Sequence, residues 1–180
     1  MVLFAPFYHS ASQMTIGSLP QQESIQYLQT KFASSNIAID ETTANYLIAV
    51  AADIPYYIQL LASEVWQDAV NHQSVITKAI IDESVKKALS LKSDYYIELF
   101  ENQSKSRKQL LKALTVERSN IFSIEYIQKY RLPAPATLQR AVKELIHTGI
   151  IEKSGNEYFF ADPFFRMYVS EWQMWEYFKA

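Results

Sequence analysis

The chain contains no cysteine. That excludes disulfides, thiolate-bound zinc, iron–sulfur clusters and cysteine nucleophiles. Glycine is almost as scarce, with 3 in 180 residues, at Gly17, Gly149 and Gly155. No phosphate-cradling loop of the G-x-x-x-x-G-K-[ST] kind can therefore be written anywhere in the sequence, and no G-x-S-x-G nucleophile elbow. No run approaches the roughly 18 consecutive apolar residues of a membrane span. The apolar opening from Met1 to Tyr8 is short and lacks the basic flank of a signal peptide. No membrane partner is expected, and a cytoplasmic location is.

Proline is also sparse, at 6 residues, so few positions break a long element and helices are favoured. Aromatic residues are abundant: 12 Tyr, 10 Phe and 3 Trp imply a well-filled core or a partner surface. Charge is uneven along the chain. Residues 1–95 carry a net −4, residues 96–160 a net +3 and residues 161–180 a net −1. A +3 excess is modest for a domain committed to nucleic acid.

Apolar residues recur every three to four positions through most of the chain, the spacing of amphipathic helices. Met14–Leu19 reads as a short strand without a nearby partner. Ser18-Leu-Pro20-Gln-Gln-Glu23 reads as a helix start, capped by Ser18 or a neighbour, with Ile25, Leu28 and Phe32 following. A second helix opens at Asp40-Glu41. A third opens at Pro55 and carries Tyr56, Ile58, Leu60, Leu61, Val65 and Trp66 on its apolar side. A fourth is capped by Thr77. Short connections between four such helices make a compact bundle over residues 20–95.

From residue 96 the pattern changes. After a helix containing Tyr96 and Phe100, Ser104–Val116 predicts a helix, and Ser123 caps a short one through Tyr130. Leu132-Pro-Ala-Pro-Ala136 predicts a rigid turn, because proline disfavours helix in the residue before it. Thr137–His147 predicts a third helix with Leu138, Val142, Leu145 and Ile146 inward, ended by Gly149. Two short apolar runs around Ser154-Gly155-Asn156 predict a hairpin. Helix, helix, proline turn, helix and hairpin form the order of a winged helix-turn-helix, here over residues 96–180. A last helix opens at Asp162-Pro163, is loaded with aromatic residues and is apolar nearly all round. The fold class expected is mainly α: a four-helix, lid-like bundle, then a winged helix with a small hairpin and an aromatic C-terminal helix.

Several runs in this order resemble a known family. They are Pro6-Phe7-Tyr8, a strand near Ile16, Leu19-Pro20, Asp53-Ile-Pro-Tyr-Tyr-Ile-Gln-Leu-Leu61 and Tyr158-Phe-Phe-Ala-Asp-Pro-Phe-Phe165. They are similar to the C-terminal part of archaeal-type P-loop ATPases of the AAA+/STAND kind. The resemblance implies that residues 1–19 are the remnant of an ATPase core, followed by a helical lid and a winged helix. It implies ATP and Mg as cofactors of a parent protein, with Met1 an internal methionine of it, and no cofactor in this chain, which has no phosphate loop. It places Pro55 and Tyr56 nearest the nucleotide. Two positions depart from the family: Tyr56 stands where a lid Arg or Lys often meets the phosphates, and Asp53 where glycine is usual.

Three further sets of residues are candidates for binding. Thr137, Gln139, Arg140 and Lys143 on the third helix of the winged unit, with Lys153 and Asn156 on the wing, are placed to meet DNA or a protein. The plainer account is a solvated face, with Glu144 beside it and Glu152 and Glu157 on the wing. Arg107, Lys108 and Lys112 form a second basic stripe. Trp172, Trp175 and Phe178 are candidates for a surface that meets an upstream ATPase core, another protein or a second copy of the chain. His9, His72 and His147 are too far apart in sequence to suggest a metal site. The expected function is that of a non-catalytic regulatory or interaction module of an ATPase. The alternatives are a DNA-binding regulator and, more remotely, an enzyme completed only in an oligomer.

Overall fold

The computed structural model describes residues 20–72 and 75–179; for residues 72 and 172–179 it describes the backbone and not the side chains. The strand expected at Met14–Leu19, the Ser18 cap, Pro6-Phe7-Tyr8 and His9 lie outside the described residues.

The first four helices are α1 (Gln21–Ala33), α2 (Glu41–Val50), α3 (Pro55–His72) and α4 (Lys78–Leu91). Each start has a local cause. Asp40 accepts from the Thr43 amide at 2.7 Å and so caps α2, and Thr77 accepts from the Ile80 amide to cap α4. α1 packs on α2, α3 on α4, and α2 touches both α3 and α4. The buried interior includes Leu28, Phe32, Leu47, Leu61, Val65 and Ile81. Tyr56 and Trp66, read as core-facing, are instead exposed at 61% and 39%. The apolar stripe of α3 is carried by Ile58, Leu61, Val65 and Ala69, and those two rings fall to its sides.

α2 ends in a cap that glycine would ordinarily supply. The Asp53 amide donates to the Ile48 carbonyl and the Ala52 amide to the Ala49 carbonyl, the paired bonds of a Schellman motif. The backbone is left-handed at both Ala52 (φ 54°) and Asp53 (φ 59°). The departure from glycine at Asp53 is thus absorbed by a residue that tolerates this region better than most.

α5 (Ser93–Glu101) runs across the boundary expected at 95/96. α6 (Lys105–Val116), α7 (Ile124–Lys129) and α8 (Pro135–His147) follow, then β1 (Ile151–Ser154), β2 (Glu157–Phe160) and α9 (Pro163–Lys179). Ser123 accepts from the Tyr126 amide at 3.1 Å and starts α7. α8 begins two residues earlier than expected, at Pro135: the first helical position needs no amide hydrogen, so proline opens the helix there instead of prolonging the turn. Its buried face is Leu138, Ala141, Val142 and Leu145; Ile146, expected inward, is exposed at 40%.

β1 and β2 are antiparallel, with Ile151 opposite Phe160 and Ser154 opposite Glu157, so the turn is Gly155-Asn156 alone. Gly155 sits at φ 58°, a first turn position that suits glycine. The sequence pattern missed a third piece of sheet. The Tyr158 amide donates to the Arg118 carbonyl at 3.0 Å, and Ser119 bridges to Glu157, so the segment after α6 lies along β2. The order α6, short extended piece, α7, α8, hairpin is that of a winged helix. α8 packs on α6 and β1, whereas α9 packs on α6 and β2 and also reaches α4 and α5. α9 therefore clasps the winged helix to the helical bundle.

Candidate functional site

Two of the runs that carried the family resemblance, Asp53–Leu61 and Tyr158–Phe165, meet in space. Asp162 is the N-terminal cap of α9: one carboxylate oxygen accepts from the amides of Phe164 (2.8 Å) and Phe165 (3.1 Å). Its other oxygen accepts from the Tyr96 hydroxyl at 2.9 Å, and the Tyr57 phenol lies near enough to feel this carboxylate's charge. Tyr57 lies against the Phe164 ring at 5.5 Å, and Tyr96 against the Phe165 ring at 5.6 Å. Burial first, then the Asp162 charge, pushes the ionisation of both phenols well above the usual tyrosine value. One carboxylate thus ties α5 to α9, and Tyr57 brings α3 against the same joint. The sequence pattern singled out Pro55 and Tyr56 but passed over Tyr57, whose neighbour-like spacing gave no sign of which ring turns inward.

Pro55 opens α3 and is half-buried; Tyr56 projects to solvent and meets Tyr57 edge-on at 5.0 Å. Beside them a cleft of about 200 Å³ runs between the first turns of α1 and α3, lined by Glu23, Ser24, Tyr27 and Ile58 among others.

On the winged helix, Gln139, Arg140 and Lys143 are exposed along one side of α8, and Thr137 is half-buried. Thr137, Arg140 and Glu144 face Ser104, just before α6, and Arg107 of α6 across a second cleft of about 200 Å³. The structure thereby joins Arg107 to the α8 set, a pairing not evident from sequence. The rest of the stripe is occupied. Lys108 pairs with Glu101 and lies over the Phe100 ring, and Lys112 lies over the same ring. The wing residues are engaged within the winged unit itself: Lys153 lies over the Tyr158 ring at 5.7 Å, and the Asn156 amide donates to Asn120, in the segment before α7, at 3.1 Å. Trp172, Trp175 and Phe178 fall on α9, but their side chains lie outside those described. Among the described residues, no three His, Asp or Glu converge as metal ligands, and no helix is long and apolar enough to cross a membrane.

Comparison with known proteins defines the class first. Residues 94–171 match a family model described as "Probable winged helix domain", in agreement with the elements found there. The whole arrangement has a more particular likeness. Among solved structures, a Walker-type ATPase of Pyrococcus abyssi superposes with a TM-score of 0.63 over 84% of this chain, at 17% sequence identity. At that identity the likeness is one of fold. The chain covers 42% of that ATPase, less than half its length. No curated protein matches the chain in sequence.

Proposed function

We propose that this chain is the regulatory and interaction part of an ATPase, a lid-like bundle joined to a winged helix, that carries nucleotide state to a partner. The observation behind this reading is the likeness to the Walker-type ATPase, which spans bundle and winged helix together and not the winged helix alone. The Asp162 joint supplies a mechanism. A nucleotide held by a preceding ATPase core would bear on the start of α3 at Pro55 and Tyr56. Movement of α3 would pass through Tyr57 to Asp162 and so to α9, which rests on the winged helix. ATP and Mg would belong to that core. The chain contributes no phosphate loop and, on this reading, no catalytic step.

The genomic frame upstream of the Met1 codon tests this directly. A continuous frame encoding a phosphate loop is the expected result. A stop codon close upstream would remove the reading.

A second reading, DNA binding by the winged helix, rests on the exposed Gln139, Arg140 and Lys143 with Arg107 nearby. It requires binding to duplex DNA that weakens steeply with salt and falls when Arg140 and Lys143 are both changed to Ala. Binding unaffected by those changes would discard it.

A further inference from the structure

A groove opens to solvent between α1 and α3. Near the two helix starts it is the cleft bounded by Glu23, Tyr27 and Pro55. Further along it widens to a cleft of about 340 Å³ that shares Tyr27 and Gln59 with the first and reaches Lys31 and Trp66. The two helices therefore lie side by side and point the same way. The floor is apolar, with Leu28, Phe32 and Ile58 buried. Ala62 and Ser63 keep the middle of the α3 wall low. Two large rings stand beside it, Tyr27 at 46% and Trp66 at 39% exposed. The charged side chains of the groove are one acid and one base, both exposed on α1. Glu23 stands at its start, and Lys31 two turns on, over the Tyr27 ring at 5.7 Å. Among the described residues neither belongs to an ion pair. The acids of α3, Glu64 and Asp68, turn instead to Lys87 of α4.

Both walls are helices, whose backbone groups are bonded within themselves. An extended peptide laid between them would leave its own amides and carbonyls facing apolar walls without partners, at a cost for each. A helix bonds its own backbone and offers only side chains. The wall from Pro55 to Trp66 is about 16 Å long, the rise of three helical turns. We infer that the groove between α1 and α3 receives one amphipathic helix of a partner protein, which sets a basic residue against Glu23 and an acidic residue against Lys31, two turns apart, with apolar residues between them. Trp66 is the anchor: a partly exposed tryptophan beside a buried apolar floor is the kind of residue that carries most of the energy of such an interface. The inference stands apart from the ATPase and DNA readings, because the bundle alone forms the groove.

The test uses the full chain and a stapled helical peptide of about 15 residues, long enough for the groove and its ends. One face carries leucines at three- and four-residue spacing, with an arginine and a glutamate two turns apart beside them. The anisotropy of the fluorescein-labelled peptide should rise saturably, and ¹⁵N signals of α1 and α3 should move while those of α8 stay. Trp66→Ala should weaken binding about thirtyfold. Glu23→Lys, at an exposed position, should weaken it about fivefold, and a peptide whose arginine is replaced by glutamate should recover that loss. Circular dichroism should show both variants as helical as the parent chain. Binding that is absent, that maps outside α1 and α3, or that ignores Glu23→Lys would overturn the inference. Equal binding by a proline-interrupted, extended peptide of the same composition would also overturn it. So would a dimer of the chain that Trp66→Ala breaks, since a second copy would then fill the groove.

Discussion

The Tyr96 hydroxyl donates a 2.9 Å hydrogen bond to the carboxylate of Asp162, 66 residues further along the chain. Tyr96 is fully buried, so this bond is made away from water, and the same carboxylate starts α9. Its consequence is mechanical: the bundle and the winged helix share one polar joint surrounded by the rings of Tyr57, Phe164 and Phe165.

Removal of the carboxylate should be felt at both ends. Asp162→Ala takes the cap from α9 and leaves the Tyr96 hydroxyl buried without an acceptor, a combined loss of about 2–3 kcal/mol. Tyr96→Phe removes only the hydroxyl and should cost about 1 kcal/mol. Urea unfolding of the two variants checks the order. If Tyr96→Phe proves the more damaging, the cap is not the larger part of the joint.

Alkaline pH should destabilise the chain through the same phenols. Tyr57, Tyr96 and Tyr126 all hold their protons above the usual tyrosine value of about 10, chiefly through burial. Above that pH the unfolded chain releases phenolic protons that the folded chain retains, so unfolding is favoured as pH rises. Their contribution is complete below pH 10 and is lost as pH climbs beyond it. Thermal melts at increasing pH should show a falling midpoint from about pH 10 upward, and the fall should be shallower in Tyr96→Phe.

The glycine-free cap of α2 offers a gain in stability. Ala52 is exposed and sits at φ 54°, where a Cβ is disfavoured. Ala52→Gly relieves that strain at some cost in unfolded-chain entropy, for a net gain of about 0.5–1 kcal/mol. Chemical denaturation resolves a change of this size. A loss of stability would mean that the left-handed backbone at this site is not strained.

The helix that carries Arg140 and Lys143 is anchored by Leu138, which is fully buried. Leu138→Ala should cost about 3 kcal/mol through the cavity it leaves against α6. Hydrogen exchange should then speed up in α8 before it does in α1 and α2, which lie in the bundle. Equal acceleration everywhere would show that the two units unfold as one.

The helical class, the order of the winged helix and most helix starts are legible in the residues alone. These follow from local causes: the spacing of Leu110, Leu111 and Leu114, the caps at Asp40, Thr77 and Ser123, and the turn at Gly155. Each acts over a few residues and can be read in a short window. Tertiary packing alone sets the Tyr57 phenol near Asp162 while Tyr56 faces solvent, takes up Lys108 and Lys112 with Glu101 and Phe100, and lays the Arg118 guanidinium over the Phe159 ring. The extended piece at Arg118 and Ser119 belongs with these, because its partner is β2, far along the chain. Such contacts depend on how helices rotate as they pack and on pairings between distant segments, and neither leaves a periodic trace in the local order of residues.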